Sequence, residues 1–450
     1  MVIGGSDAGV SAALRAREVD PSSSVTMLVA DEFPNYSICG LPFYLSGEVP
    51  DWHQLAHRSL TEIESRGIDV RLNTRATRID PEAQVVLADA PGTLGQRIPY
   101  DRLVLATGAL PVQPPIIGQE APGVFLLHSM ADSFRVRAFL DEQQPRQATI
   151  VGAGYIGLEM ADALTHRGIA VTLVEQAPAV LPTVDPAFGR RLGAHVAHFG
   201  VDVRTGVHVQ AIERTASGLC VVGEPGLNQL TDMVLIVVGV RPHAQLAQAM
   251  GIPAGVKGAI PVDREMRTGQ VNVWAAGDCV ETAHRLWPTP TYLPLGTTAH
   301  KQGRVAGENA AGGQAHFAGS LGTQVVKVFD WAIGRTGLTE REAVEAGYQP
   351  RTTEFTAPDH KAYYPGAQPL MMRVTGDHAS GRLLGAQIMG HWQAQVAKRL
   401  DLFAMALYQD MRIAELLSVD LSYTPPLGSP WDAVQMAADD WLRQAQPAPT

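Results

Sequence analysis

The chain has 450 residues, a length that predicts about three domains or one large unit with inserts. Hydrophobic residues make up 46% and charged residues 18%, enough for several cores and too little charge for a disordered chain. Lysine and arginine total 35 against 45 acids, and the resulting −10 argues against a general nucleic-acid or anionic-membrane binder.

At the N-terminus, Met1 leads straight into Val2-Ile3-Gly4 with no basic segment, so no signal peptide is visible. The first strand looks clipped, as if the recorded start were late or residues were missing. Val2-Ile3, a glycine turn, an alanine-rich helix over 10–19 and a β run over 25–29 form a βαβ start. The turn reads Gly4, Gly5, Ser6, Asp7, Ala8, Gly9, with serine where a dinucleotide fingerprint has its second glycine. Asp31 or Glu32 could accept from a ribose at the end of the following strand.

Cys39 follows in Asn35-Tyr36-Ser37-Ile38-Cys39-Gly40-Leu41-Pro42. Pro42 suits a first helical turn, so Cys39 is expected to cap a helix whose dipole favours thiolate. No second cysteine stands at dithiol spacing. A lone thiolate beside a flavin can cycle through a mixed disulfide, a persulfide or a sulfenic acid. Cys220 and Cys279 read as buried apolar cysteines, and the odd count fits a reducing cytoplasm.

The same βαβ pattern returns over 148–175, where Val151 precedes a complete G-x-G-x-x-G of Gly152, Gly154 and Gly157, with Tyr155 and Ile156 opening the helix. The glycines suit a tight turn, close approach of backbone to a pyrophosphate, and helix–strand packing. Glu175 closes the next strand, where a carboxylate can accept from a ribose 2′-OH. No arginine or lysine immediately follows it, which favours NADH over NADPH. Short β runs ending in glycine turns occur at Thr107-Gly108, Gly239 and Gly277-Asp278, and the last suits hydrogen bonding to a ribityl chain. FAD in the first unit and NADH in the second is the economical reading.

After residue 320 the pattern changes to strands followed by helices without a glycine fingerprint, a third α+β domain. The longest apolar runs, such as 233–240, are too short to span a bilayer. A soluble, cytoplasmic, multidomain chain is expected, with a frayed tail over 444–450. His195 and His198 share a helix face but lack a third ligand, so no metal is assigned.

The chain resembles the coenzyme A-disulfide reductase branch of the flavoprotein pyridine nucleotide-disulfide oxidoreductases, kin of NADH oxidases and peroxidases. The likeness runs nearly end to end, through residues 37–44, 67–73, 105–109, 151–159, 276–278, 294–304, 362–366 and 422–426. It implies an α/β architecture of two Rossmann-like dinucleotide-binding domains plus a C-terminal α+β dimerisation domain. Residues 1–111 and 244–320 would form the FAD domain, 112–243 the NAD(P)H domain and 321–450 the dimerisation domain. FAD contacts would include Leu295, Gly296 and Thr297.

The resemblance also implies a homodimer, a single redox cysteine at Cys39, and two partner-subunit tyrosines, here Tyr423 and Tyr363 or its neighbour Tyr364. Ser11, Arg15, Asn35, Arg66, His300 and Trp431 become substrate candidates, with coenzyme A as possible thiol. Several positions depart from the branch. Asp7 replaces a histidine that oxidases and peroxidases carry in the first turn, against peroxide or dioxygen chemistry. Glu18 replaces an arginine, Ile38 an asparagine and Trp431 a lysine, which weakens the case for coenzyme A. Reduction of a small disulfide or persulfide through Cys39 is the expected activity. An NADH oxidase and a non-catalytic flavin/thiol redox sensor are the alternatives.

Overall fold

A computed structural model describes residues 1–216 and 218–445; of the tail expected to fray over 444–450, Gln444 and Ala445 instead continue the last helix, and the rest lies outside the described residues. The first sheet is parallel and five-stranded, in the order Val273–Ala275, Leu103–Leu105, Val2–Ile3, Val25–Leu28, Ile68–Arg71. The Val273–Ala275 strand, distant in sequence, pairs with Leu103–Leu105 and so joins the N-terminal strands in one sheet. The first helix, Asp7–Val19, begins three residues earlier than its alanine-rich stretch suggests, directly on the glycine turn.

That helix packs closely on the Gly296–Ala310 helix. A Cβ at Gly303 would lie 2.2 Å from the Ala8 carbonyl oxygen, and one at Gly307 2.1 Å from that of Ala12. Side chains there would force the two backbones apart. Small residues thus bring the outer, polar edges of both helices close together.

The second sheet repeats the parallel design, in the order Asp202–Thr205, Ala170–Glu175, Gln147–Val151, Met233–Ile236, Val124–Leu126. Its three central strands are almost wholly buried, as expected for a parallel sheet covered on both faces. Each dinucleotide unit also carries a three-stranded antiparallel sheet, 75–99 and 208–231.

The third sheet is antiparallel, in the order Gln324–Val328, Trp331–Gly337, Leu383–His391, Pro369–Asp377, Pro350–Pro358. The Val396–Tyr408 and Ala433–Ala445 helices bury Leu400, Phe403 and Trp441 within its core. The expected α+β unit is therefore present.

His195 and His198 diverge: His195 Nε2 lies 2.6 Å from Asp330 Oδ1 and its ring stacks on Trp331, while His198 meets Phe199 edge-on. His195 thereby ties the second unit to the third. Among the described residues no helix is long and apolar enough to cross a membrane.

Candidate functional site

The first glycine turn is built to receive backbone-close ligand atoms. Gly4 has φ +119°, and a Cβ on it would stand 2.0 Å from the Ala106 carbonyl oxygen. Gly9 is equally constrained, since its Cβ would fall 2.0 Å from the Gly4 carbonyl oxygen. Gly5 abuts Val29, and Ser6 caps the first helix without a side-chain bond, leaving its first amides free of a local side-chain acceptor. The absent second fingerprint glycine therefore does not disrupt the turn.

Around this turn stand groups that fit the rest of an FAD. Gly277 packs on Ala8, and its amide donates to Gln302 Oε1 at 3.0 Å. The neighbouring Asp278 carboxylate makes no hydrogen bond or ion pair among the described residues. Burial, then the charge of Asp7, pushes its pKa up to about 6. An acid held without a donor is suited to accept from ligand hydroxyls. Leu295 caps the Gly296–Ala310 helix and Thr297 lies in its first turn. Asp31 is exposed at the strand end and accepts from the Phe33 amide, so its second oxygen stays available. Thr107 is more committed: its hydroxyl donates to the His243 carbonyl at 2.6 Å, and Gly108 accepts from the His243 amide at 3.0 Å.

In the second turn, Gly152 has φ +105°, and Gly157 would place a Cβ 1.9 Å from the Gly152 carbonyl oxygen. Gly154 caps the Tyr155–His166 helix with open space where a Cβ would stand. This is the room a pyrophosphate needs beside a helix N-terminus. Gly239, at φ +106°, closes the opposite lip. Tyr155 is largely buried beside Thr183, and Ile156 packs into the core. Glu175 differs from expectation in part. Its two oxygens accept from the Ala153 and Ala177 amides, each at 2.8 Å, so it braces the glycine loop. Each oxygen keeps a second lone pair for a ligand hydroxyl.

Cys39 lies inside a 3₁₀ turn, Ile38–Gly40, that runs into the short Leu41–Ser46 helix with Pro42 in its first turn. The helix cap is Gly40, which corrects the expectation that Cys39 itself would fill that position. The residue is exposed at the surface of this turn, with its thiol partly shielded from solvent. Burial raises the thiol pKa first, followed by the charges of Glu159, Asp7 and Asp278. The chain's own charges therefore oppose the thiolate, the reverse of the helix-dipole expectation.

Glu159 was not singled out from the sequence, although it directly follows the second fingerprint in Gly157-Leu158-Glu159. Burial and Asp162 push its pKa up to about 7. Lys327, the cation that opposes this, is held by Asp162 at 3.1 Å. Tyr292 was also missed; its hydroxyl donates to the Asp278 carbonyl at 3.0 Å.

Of the substrate candidates, Ser11, Asn35 and His300 gather around Asp7. The Asn35 amide donates to Asp7 Oδ1 at 3.4 Å, His300 Nε2 lies 3.4 Å from the same oxygen, and His300 Nδ1 is 2.9 Å from Ser11 Oγ. Arg15 lies two turns further along the first helix. Arg66 is exposed, and Trp431 is exposed ahead of the last helix. Tyr363 and Tyr423 are 73% and 44% exposed and act on one another, with Tyr423 raised by partial burial and by the Tyr363 hydroxyl. Neither is among the groups that perturb Cys39 of the same chain.

The pyridine nucleotide-disulphide oxidoreductase profile matches residues 1–303, and the dimerisation-domain profile of the same group matches 323–433. An NAD(P)H sulfur oxidoreductase (CoA-dependent) of Pyrococcus abyssi is 34% identical over 443 residues, 97% of each chain. An NADH oxidase of Methanocaldococcus jannaschii is 31% identical over 447 residues, 99% of this chain and 98% of that one. Among solved structures, an NAD-dependent persulfide reductase from A. fulgidus aligns with a TM-score of 0.94 at 35% identity, covering 98% of this chain and 83% of the other.

Proposed function

The chain belongs to the pyridine nucleotide-disulphide oxidoreductases, and from that premise we propose that it reduces a small-molecule disulfide or persulfide at the single sulfur of Cys39. It is an FAD-dependent NAD(P)H oxidoreductase that works as a homodimer. The observation that carries the reading is a lone, unpaired thiol in the turn that opens the Leu41–Ser46 helix, on which carboxylates of both glycine-turn units act, Glu159 from the second and Asp7 and Asp278 from the first. Coenzyme A, named in relatives, stands among the candidate thiols.

The Cys39 thiolate attacks one sulfur of the incoming disulfide or persulfide and forms a mixed disulfide, while the other sulfur leaves and takes a proton. Tyr423, with Tyr363 beside it, supplies or orients that proton for the Cys39 of the second subunit; their exposure and mutual coupling support this role. The first glycine turn and Asp278 would hold FAD, which would supply the electron pair taken from NAD(P)H; with that pair the mixed disulfide would be reduced, restoring Cys39 and releasing the second thiol. Glu175 and the absence of a following arginine or lysine support NADH as donor. All three cysteines are unpaired thiols, which supports a cytoplasmic location.

Mass analysis of the purified protein under non-reducing conditions tests this reading. A small-thiol adduct on Cys39 that NADH removes is expected. A sulfenic acid there, with no adduct, would support the oxidase reading in its place.

A further inference from the structure

The first helix and the Gly296–Ala310 helix present a polar seam that starts at Asp7, which accepts from Asn35 in the Cys39 loop and whose charge acts on the Cys39 thiol, and runs outward. On the first helix Asp7, Ser11, Arg15 and Glu18 follow one another at four- and three-residue steps, so they share one face. On the other helix His300, Arg304 and Glu308 recur every four residues. The two rows meet: Asp7 and Ser11 at His300, Arg15 at Glu308, and Glu18 at Arg304.

Both arginines of the seam are occupied. Arg15 donates to Glu308 Oε2 at 2.7 Å and to Glu18 Oε2 at 2.9 Å. Arg304 lies 3.7 Å from the same Glu18 oxygen. Two neighbouring cations are turned elsewhere. Arg17 donates to the carbonyl oxygens of Arg66, Pro21 and Ser23, and Lys301 to that of Thr297. Two arginines against three carboxylates, Asp7, Glu18 and Glu308, leave the seam acidic. A phosphorylated arm lying along it would have to displace a carboxylate to gain an arginine, and would then leave that carboxylate beside its own charge.

The geometry points to Glu18 as a specificity residue that biases this entrance against phosphorylated thiols, so that the favoured substrate is a disulfide or persulfide without phosphate groups. The inference rests on the reading of Cys39 as the redox sulfur and adds the class of thiol that reaches it. Glu18 is exposed and touches no reacting atom. It acts by holding Arg15 and Arg304.

The test compares two disulfides with the same reacting ends, using FAD-loaded enzyme and NADH: coenzyme A disulfide, and pantethine, which has the same aminothiol arms and no phosphate. Wild-type enzyme is expected to show a kcat/KM for pantethine about tenfold above that for coenzyme A disulfide. Glu18→Gln and Glu18→Arg are expected to shift the ratio toward coenzyme A disulfide by about five- to tenfold at low ionic strength, and less at high salt. A loosened helix pair would depress both substrates without that salt-dependent change of ratio. A wild-type preference for coenzyme A disulfide, or a ratio unmoved by both variants, overturns the inference and leaves the proposed function standing. If neither disulfide nor inorganic polysulfide is turned over, the proposed function falls and the inference with it.

Discussion

Glu159 is the carboxylate that acts most strongly on the Cys39 thiol, although the two residues are 120 positions apart, one in the Ile38–Gly40 turn and the other in the Tyr155–His166 helix. Its influence is not offset locally, because Asp162 holds Lys327. Glu159→Gln should therefore lower the Cys39 pKa. The pH profile of iodoacetamide labelling at Cys39 would move down by a few tenths to about one unit. A profile that stays put or moves up contradicts the assigned coupling.

The same carboxyl links stability to pH. Its pKa is about 7 in the folded chain against 4.5 as its ordinary value, so the folded state holds the proton more tightly. Stability from this group is present at acid pH and falls as pH rises through the window from about 4.5 to 7, by on the order of 3 kcal/mol in total. Glu159→Gln should remove most of that fall. Melting temperatures of wild type and variant at pH 5 and pH 8 check it: the variant should gain relative to wild type at pH 8.

Glycine substitutions separate the two nucleotide sites. Gly9→Ala drives a Cβ into the Gly4 carbonyl and should cut bound flavin on purification at least about tenfold. Gly157→Ala makes the equivalent clash with Gly152 and should spare flavin content while raising KM for NADH by about tenfold. Absorbance of bound flavin and NADH kinetics distinguish the two outcomes. Loss of flavin in both variants would contradict the separation.

Much of this architecture was legible because glycine turns and β-branched runs report backbone needs directly. Gly152, Gly154 and Gly157 have local geometric reasons that sequence spacing carries. The Ala170–Glu175 strand has the bounds that its β run suggested. Less legible was anything set by contacts between distant segments. The antiparallel sheets over 75–99 and 208–231 are built from polar, partly exposed strands with weak alternation. Glu159 sat in view beside the fingerprint, yet its importance comes from Cys39 and from the Asp162–Lys327 pair, which no local pattern reveals. The pairing of Glu18 with Arg15 could be read from i,i+3 spacing; its meeting with Arg304 depends on how two remote helices pack.

Tyr423→Phe removes one phenolic hydroxyl while keeping the ring. It should lower kcat for disulfide turnover about ten- to a hundredfold, with flavin reduction by NADH retained. Tyr363→Phe should have a smaller effect in the same direction. Stopped-flow traces of flavin reduction beside steady-state disulfide assays check both. Unchanged turnover in the Tyr363→Phe/Tyr423→Phe double variant would remove the tyrosines from the mechanism.

The central claim is that one sulfur carries the exchange. Steady-state NADH consumption with disulfide, measured alongside single-turnover flavin reduction in Cys39→Ser, tests it most directly. The account predicts that the variant binds flavin and is reduced by NADH at a rate near wild type, while disulfide-dependent turnover drops to background. Turnover retained in Cys39→Ser would contradict it.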